Sequence, residues 1–148
     1  MSEHSSPQTP AATPTAGTIL VEVSAGELVD KISILRVKEE QIEAPEKLAH
    51  VRTELRVLEA VRQQALPRTP ALQALSAELM AVNKELFAVI DGIYRCEARG
   101  DLGPSFVELA RSVYRLNDRR ALLKRRINLL VGSRLIEEKA HDLVEKPH

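Results

Sequence analysis

The stretch LQALSAELMAVNKELFAVIDGIYRC, residues 72–96, decides the fold class. Leu72, Leu79, Leu86 and Ile93 recur every seven residues, and Leu75, Val82, Val89 and Cys96 form a second series of the same period. Two apolar seam positions per heptad, kept up over four repeats, describe a long helix with a coiled-coil-like packing face, and the run is too long for a strand. Thr69 is placed to cap its start and Gly100 to end it.

Working outward, RGDLGP (99–104) is a tight connection, so the next helix is expected to return antiparallel. Ser105-x-x-Glu108 has the capping-box pattern, which predicts a helix from there to about Val131, stopped by Gly132. Its apolar stripe is Leu109, Val113, Leu116, Leu123, Ile127 and Leu130, a sector about 100° wide at ~100° per residue. A shorter helix follows Pro45, with Leu48, Val51, Leu55 and Leu58 on one face, and runs out near ALPRTP (65–70).

Upstream, Ser24-x-x-Glu27 is another capping box. Leu28, Val29, Ile32, Ile34, Leu35 and Val37 then cover most of a helix circumference, as expected of a central helix. TILVEV (18–23) reads as one short strand or an extended lead-in, which would have to lie against helices or pair with a second chain. Residues 1–17, rich in Ser, Thr, Pro and Ala, read as a disordered tail. The helical domain is expected over 18–139, with a flexible end at 140–148. The fold class is therefore all-α, an antiparallel four-helix bundle built on a long helical hairpin.

Composition agrees. Hydrophobic residues make up 44% and aromatics only 3% with no Trp, so the core must be aliphatic, which suits helices better than a β-sandwich. The 21 Lys and Arg balance 21 Asp and Glu, which leaves no global field to attract nucleic acid or anionic lipid. The single Cys96 cannot form an intramolecular disulfide, and a reducing compartment is the default. The first residues lack a basic start followed by an apolar run, and no stretch approaches the ~20 apolar residues of a membrane span. A cytoplasmic location without membrane association is expected.

Arg120 is the anomaly. The helical spacing puts it inside the apolar sector of the fourth helix, and a guanidinium cannot shed its charge to be buried. Partners are expected on the first helix, among Glu27, Asp30 and Glu39. Glu39 shares the side of Leu28, Ile32 and Leu35, whereas Asp30 points the other way. Either the charge is a structural ion pair, or Arg120 and Lys31 line a pocket for a phosphate, carboxylate or nucleotide.

A second constellation is the basic stretch between Arg111 and Arg134, eight cations against the single acid Asp118. Arg111, Arg115 and Arg119 share a face and could follow nucleic-acid phosphates. The acids of residues 22–46 could equally neutralise these cations across the bundle, and few aromatics are present to stack on bases. Tyr114 and Asn117 lie beside the basic row, within reach of a ligand. His4, His50, His141 and His148 have no metal-ligand spacing, and no cofactor is expected. No nucleophile–base pair can be read from spacing, so the expectation leans away from an enzyme.

The segments SAGELVDKISILRVK (24–38) and ELARSVYRLNDRRALLKRRINLLVGSRLIEEK (108–139) together resemble a family of small, mostly helical bacterial proteins that bears only a domain-of-unknown-function label. The resemblance spans roughly residues 19–139. Its pattern falls on Ser24, Gly26, Glu27, Asp30 and Lys31 in the first segment. In the second it falls on Arg111, Ser112, Tyr114, Asn117, Asp118, Arg119, Lys124, Asn128, Gly132, Ser133, Glu137, Glu138 and Lys139. After Lys139 the family continues with Ser-Tyr where this chain has Ala140 and His141. The resemblance implies a helical fold and no particular activity, substrate or cofactor. A looser similarity to the helical chorismate mutases, which stabilise a dianion by electrostatics, lacks that family's motif order.

Three functional expectations follow. The first is a non-enzymatic interaction or accessory module whose polar cluster sets helix register. The second is an anion-binding protein or small enzyme, and the third is a nucleic-acid-binding helix. Ligand-binding candidates are Glu27, Asp30, Lys31, Arg111, Tyr114, Asn117, Asp118, Arg119, Arg120 and Lys124. The expected partner is another protein or a second copy, through the helical hairpin.

Overall fold

The computed structural model describes residues 17–141, so the readings of residues 1–16 and 142–148 lie outside it. Four helices follow in order: α1 (Ala25–Gln41), α2 (Pro45–Ala65), α3 (Pro70–Ala98) and α4 (Pro104–Val131). They form an all-α four-helix bundle. The α3–α4 hairpin has the most extensive helix contact, α1 packs on both its helices and on α2, and α2 lies close along α1 alone, reaching α3 through the Arg62 side chain on Ser76 Oγ. That topology explains why α1 is apolar around its circumference: Leu28, Val29, Ile32, Leu35 and Val37 are all buried. The core is aliphatic, with Val29 of α1 set among Leu72, Leu79, Val82 and Leu86 of α3 and Leu116, Leu123 and Ile127 of α4.

The caps are those the local sequence dictates, with one exception. Ser24 Oγ accepts the Glu27 amide, and Thr69 Oγ1 accepts the Leu72 amide. α3 closes at Gly100, whose φ of 66° is open to glycine at little cost. The Asp101 amide reaches back to the Cys96 carbonyl at 2.9 Å and the Gly100 amide to that of Glu97 at 3.0 Å. Gly132, φ 68°, ends α4 in the same way, with the Ser133 amide on the Asn128 carbonyl at 2.8 Å. The exception is the Ser105–Glu108 capping box, which does not form. Pro104, with no N–H to satisfy and φ already helical, starts the helix one residue earlier, and Gly103 is the cap.

Two further expectations are corrected. TILVEV is not a strand: no strand occurs among the described residues, and with nothing to pair with, Ile19, Leu20 and Val21 stand exposed. Leu130, expected on the buried stripe of α4, is exposed, and Asn128 is buried. At this end α4 faces the first turn of α1, whose free amides need an acceptor that leucine lacks.

The helices come closest at Gly26. A Cβ there would lie 2.4 Å from the Lys124 carbonyl oxygen and 3.0 Å from Asn128 Oδ1. Gly26→Ala is therefore expected to destabilise the protein by ~2 kcal/mol despite alanine's better helix propensity, because backbone must move. Gly92→Ala, where the Cβ would meet the flexible Leu109 side chain at 3.1 Å, is expected to cost less. Urea unfolding of the two variants checks the order.

Candidate functional site

The polar cluster is assembled where α1 crosses the hairpin. Asp30 is fully buried, and its carboxylate takes three donors. Arg120 binds it bidentately, Nε to Oδ1 at 2.8 Å and Nη2 to Oδ2 at 2.5 Å. Asn83 Nδ2 donates to Oδ1 at 3.0 Å and to Ser33 Oγ at 2.6 Å, and Ser33 Oγ donates to the Asp30 carbonyl at 2.8 Å. α1, α3 and α4 are thereby tied at one level. The Asp30 hydrogen bond, with the charges of Asp30 and Glu27, raises the Arg120 guanidinium above its ordinary value against the opposing effect of burial.

The expectation that Arg120 meets an acid of α1 is met by Asp30 and not by Glu39, which is half-buried and pairs with Arg52. Because α1 is enclosed on several sides, pointing away from Leu28 and Ile32 still means pointing inward. One turn toward the N-terminus of α1, Lys124 Nζ lies 2.5 Å from Glu27 Oε2.

The first turn of α1 is held by a third set of contacts. The Gly26 amide donates to Asn128 Oδ1 at 2.7 Å and the Ala25 amide to Ser133 Oγ at 3.2 Å. The chain after Gly132 is extended and doubles back as a strap along α4. Its Glu137 carboxylate accepts from Ser24 Oγ on one oxygen and from Asn128 Nδ2, at 2.9 Å, on the other. Arg134 pairs with Glu22, Glu138 with Arg125, and Lys139 with Asp118. Burial pushes the Glu137 carboxyl up, but hydrogen bonds from Ser24, its own amide and Asn128, with the charge of Lys124, outweigh it and leave the group below its ordinary 4.5.

Strap and α4 enclose an open cleft of about 230 Å3 lined by Asn117, Arg120, Ala121, Lys124 and Glu137–Lys139. Of the candidate residues, Glu27, Asp30, Arg120 and Lys124 are brought together, Asn117 sits on the cleft rim, and Asp118 anchors the strap. Lys31 lines a neighbouring, more open groove that it shares with Glu22, Val23 and Ile136 and with Glu27 and Glu137 of the cluster. Arg111, Tyr114 and Arg119 are exposed on α4, and Arg111 and Arg119 make no ion pair among the described residues. The residues overlooked by spacing were Ser33 and Asn83. Asn83 stands four residues from Leu79 and three from Leu86, an i/i+4 placement on the buried face that marks it as enclosed.

Chemically the arrangement is a set of closed pairs. Each cation of the cleft is matched by a carboxylate of the chain, and among the described residues no buried side-chain polar atom lacks a partner. No group of His, Cys, Asp and Glu suited to a metal ion occurs among them. The site thus defines a helical bundle with an internal polar lock. Comparison of the chain with protein-family models, with curated proteins and with solved structures finds no match.

A carboxyl held below its ordinary value stabilises the fold above that value and loses its contribution as pH falls through the lowered one. The stability difference between wild type and Glu137→Gln is therefore expected to be full above the ordinary value of 4.5 and to shrink as pH falls through the lowered one. Urea titrations across that range measure it, and the carboxyl carbon of Glu137 is expected to titrate below 4.5.

Proposed function

We propose that the protein is a non-enzymatic interaction or accessory module, acting in the cytoplasm, and that the cluster around Asp30 and Arg120 serves to fix the register of α1 on the hairpin. The observation that carries this reading is the pairing of the cleft's cations. Arg120, Lys124 and Lys139 are neutralised by Asp30, Glu27 and Asp118, and among the described residues the cleft's acid without an ion pair is Glu137. A site built to take a phosphate or dicarboxylate needs uncompensated donors and a positive potential, and this cleft offers an unpaired acid instead. The unpaired Cys96 agrees with a reducing compartment.

A thermal-shift screen with inorganic phosphate, sugar nucleotides and dicarboxylates tests it, on wild type and on Arg120→Ala. The lock predicts no stabilisation of wild type by any of them. It also predicts that Arg120→Ala melts roughly 10 °C lower, about 3 kcal/mol, because Asp30 is left charged and buried without its partner. A ligand that raises the wild-type melting temperature and loses its effect in an Arg120→Met variant of undiminished stability would overturn the reading in favour of an anion pocket.

A further inference from the structure

The seam between α3 and α4 is enclosed along only part of its length. Leu79, Val82 and Leu86 on α3, with Leu116 and Leu123 on α4, are buried under α1. In the same seam toward the hairpin turn Cys96 is buried, but Val89 and Ile93 on α3 and Leu109 and Val113 on α4 are only half-buried. Two helices present one line of contact to each other and cannot close a core around it, so a seam of this kind is complete when further helices cover it.

Two independent features mark the open stretch as a contact surface. All four aromatic residues of the chain, Phe87, Tyr94, Phe106 and Tyr114, fall within it and none is buried; Tyr94 is 72% and Tyr114 45% exposed. Aromatics are the residue type concentrated at protein interfaces, because they bring large area at low entropic cost. The charges are the second feature. Residues 87–116 carry four acids (Asp91, Glu97, Asp101, Glu108) and four cations (Arg95, Arg99, Arg111, Arg115), whereas the α4 segment that follows is strongly basic.

We infer that a second copy of this chain docks on this outer half of the hairpin, the two hairpins packing antiparallel to complete a four-helix bundle between subunits. The balance of charge selects the occupant. A surface with equal numbers of both signs is self-complementary under a two-fold axis, while nucleic acid or an acidic partner would be drawn to the basic segment beyond Leu116. The inference rests on the interaction-module reading and names its partner.

Sedimentation velocity on the full chain at about 10 and about 200 μM tests it, with circular dichroism as the check on folding. Wild type is expected to shift from monomer toward dimer over that range. Tyr94→Glu/Tyr114→Glu, both at exposed positions, is expected to stay monomeric with unchanged helicity, and Val57→Glu/Val61→Glu on the exposed side of α2 to dimerise like wild type. A folded wild type that remains monomeric at the higher concentration, or a dimer that survives the tyrosine changes, would overturn the inference. Those outcomes leave the accessory role to be decided by the ligand screen, whose failure would in turn leave the dimer standing.

Discussion

The buried carboxylate of Asp30 constrains the rest of the molecule. Left alone at that position an ionised carboxylate would cost several kcal/mol, and here Arg120 of α4 and Asn83 of α3 supply it with donors from two other helices. Each donor comes from a different place in the chain, so the network forms only when α1, α3 and α4 are at one particular register. Aliphatic stripes alone do not discriminate that strongly. Leucine and valine ridges can slide by a turn at modest loss, whereas a slide of one turn, ~5.4 Å, would leave the guanidinium and carboxylate both buried and apart. The pair thus contributes less as net stability than as a penalty on every other alignment.

Once α1 is held in register, its N-terminus falls against α4 closely enough that only glycine fits at position 26. The free amides of the first turn then meet Asn128 and Ser133, and the strap after Gly132 brings Glu137 to the same place. A carboxylate near the N-terminus of a helix is favoured by the local dipole as well as by its hydrogen bonds. The lock and the contacts around the first turn of α1 are connected through α4, where Arg120, Lys124 and Asn128 repeat at four-residue spacing along one face and serve the two in turn.

Much of this was legible in the residues themselves. The heptads of 72–96, the cap at Ser24 and the glycine stops at 100 and 132 define the helices, and the circumferential apolarity of α1 marks it as central. Arg120 announced a buried ion pair because no helical phase removes it from the apolar sector. The choice of Asp30 over Glu39 was not legible, since periodicity gives the direction of a side chain but not how many sides of its helix are covered. The strand-like run at 18–23 and the capping box at Ser105 failed for a related reason. Local propensity states what a segment favours, and the absence of a pairing strand among the described residues in one case and the presence of Pro104 in the other decided the outcome.

The coupling between Asp30 and Arg120 is measured most directly by a double-mutant cycle of Asp30→Ala, Arg120→Ala and the two combined, followed by equilibrium unfolding. A register lock predicts strong non-additivity, the double variant being at least ~2 kcal/mol more stable than the sum of the single losses allows, because removing both partners also removes the stranded charge. Losses that add to within about 0.5 kcal/mol would show that the two groups act independently and would contradict the account.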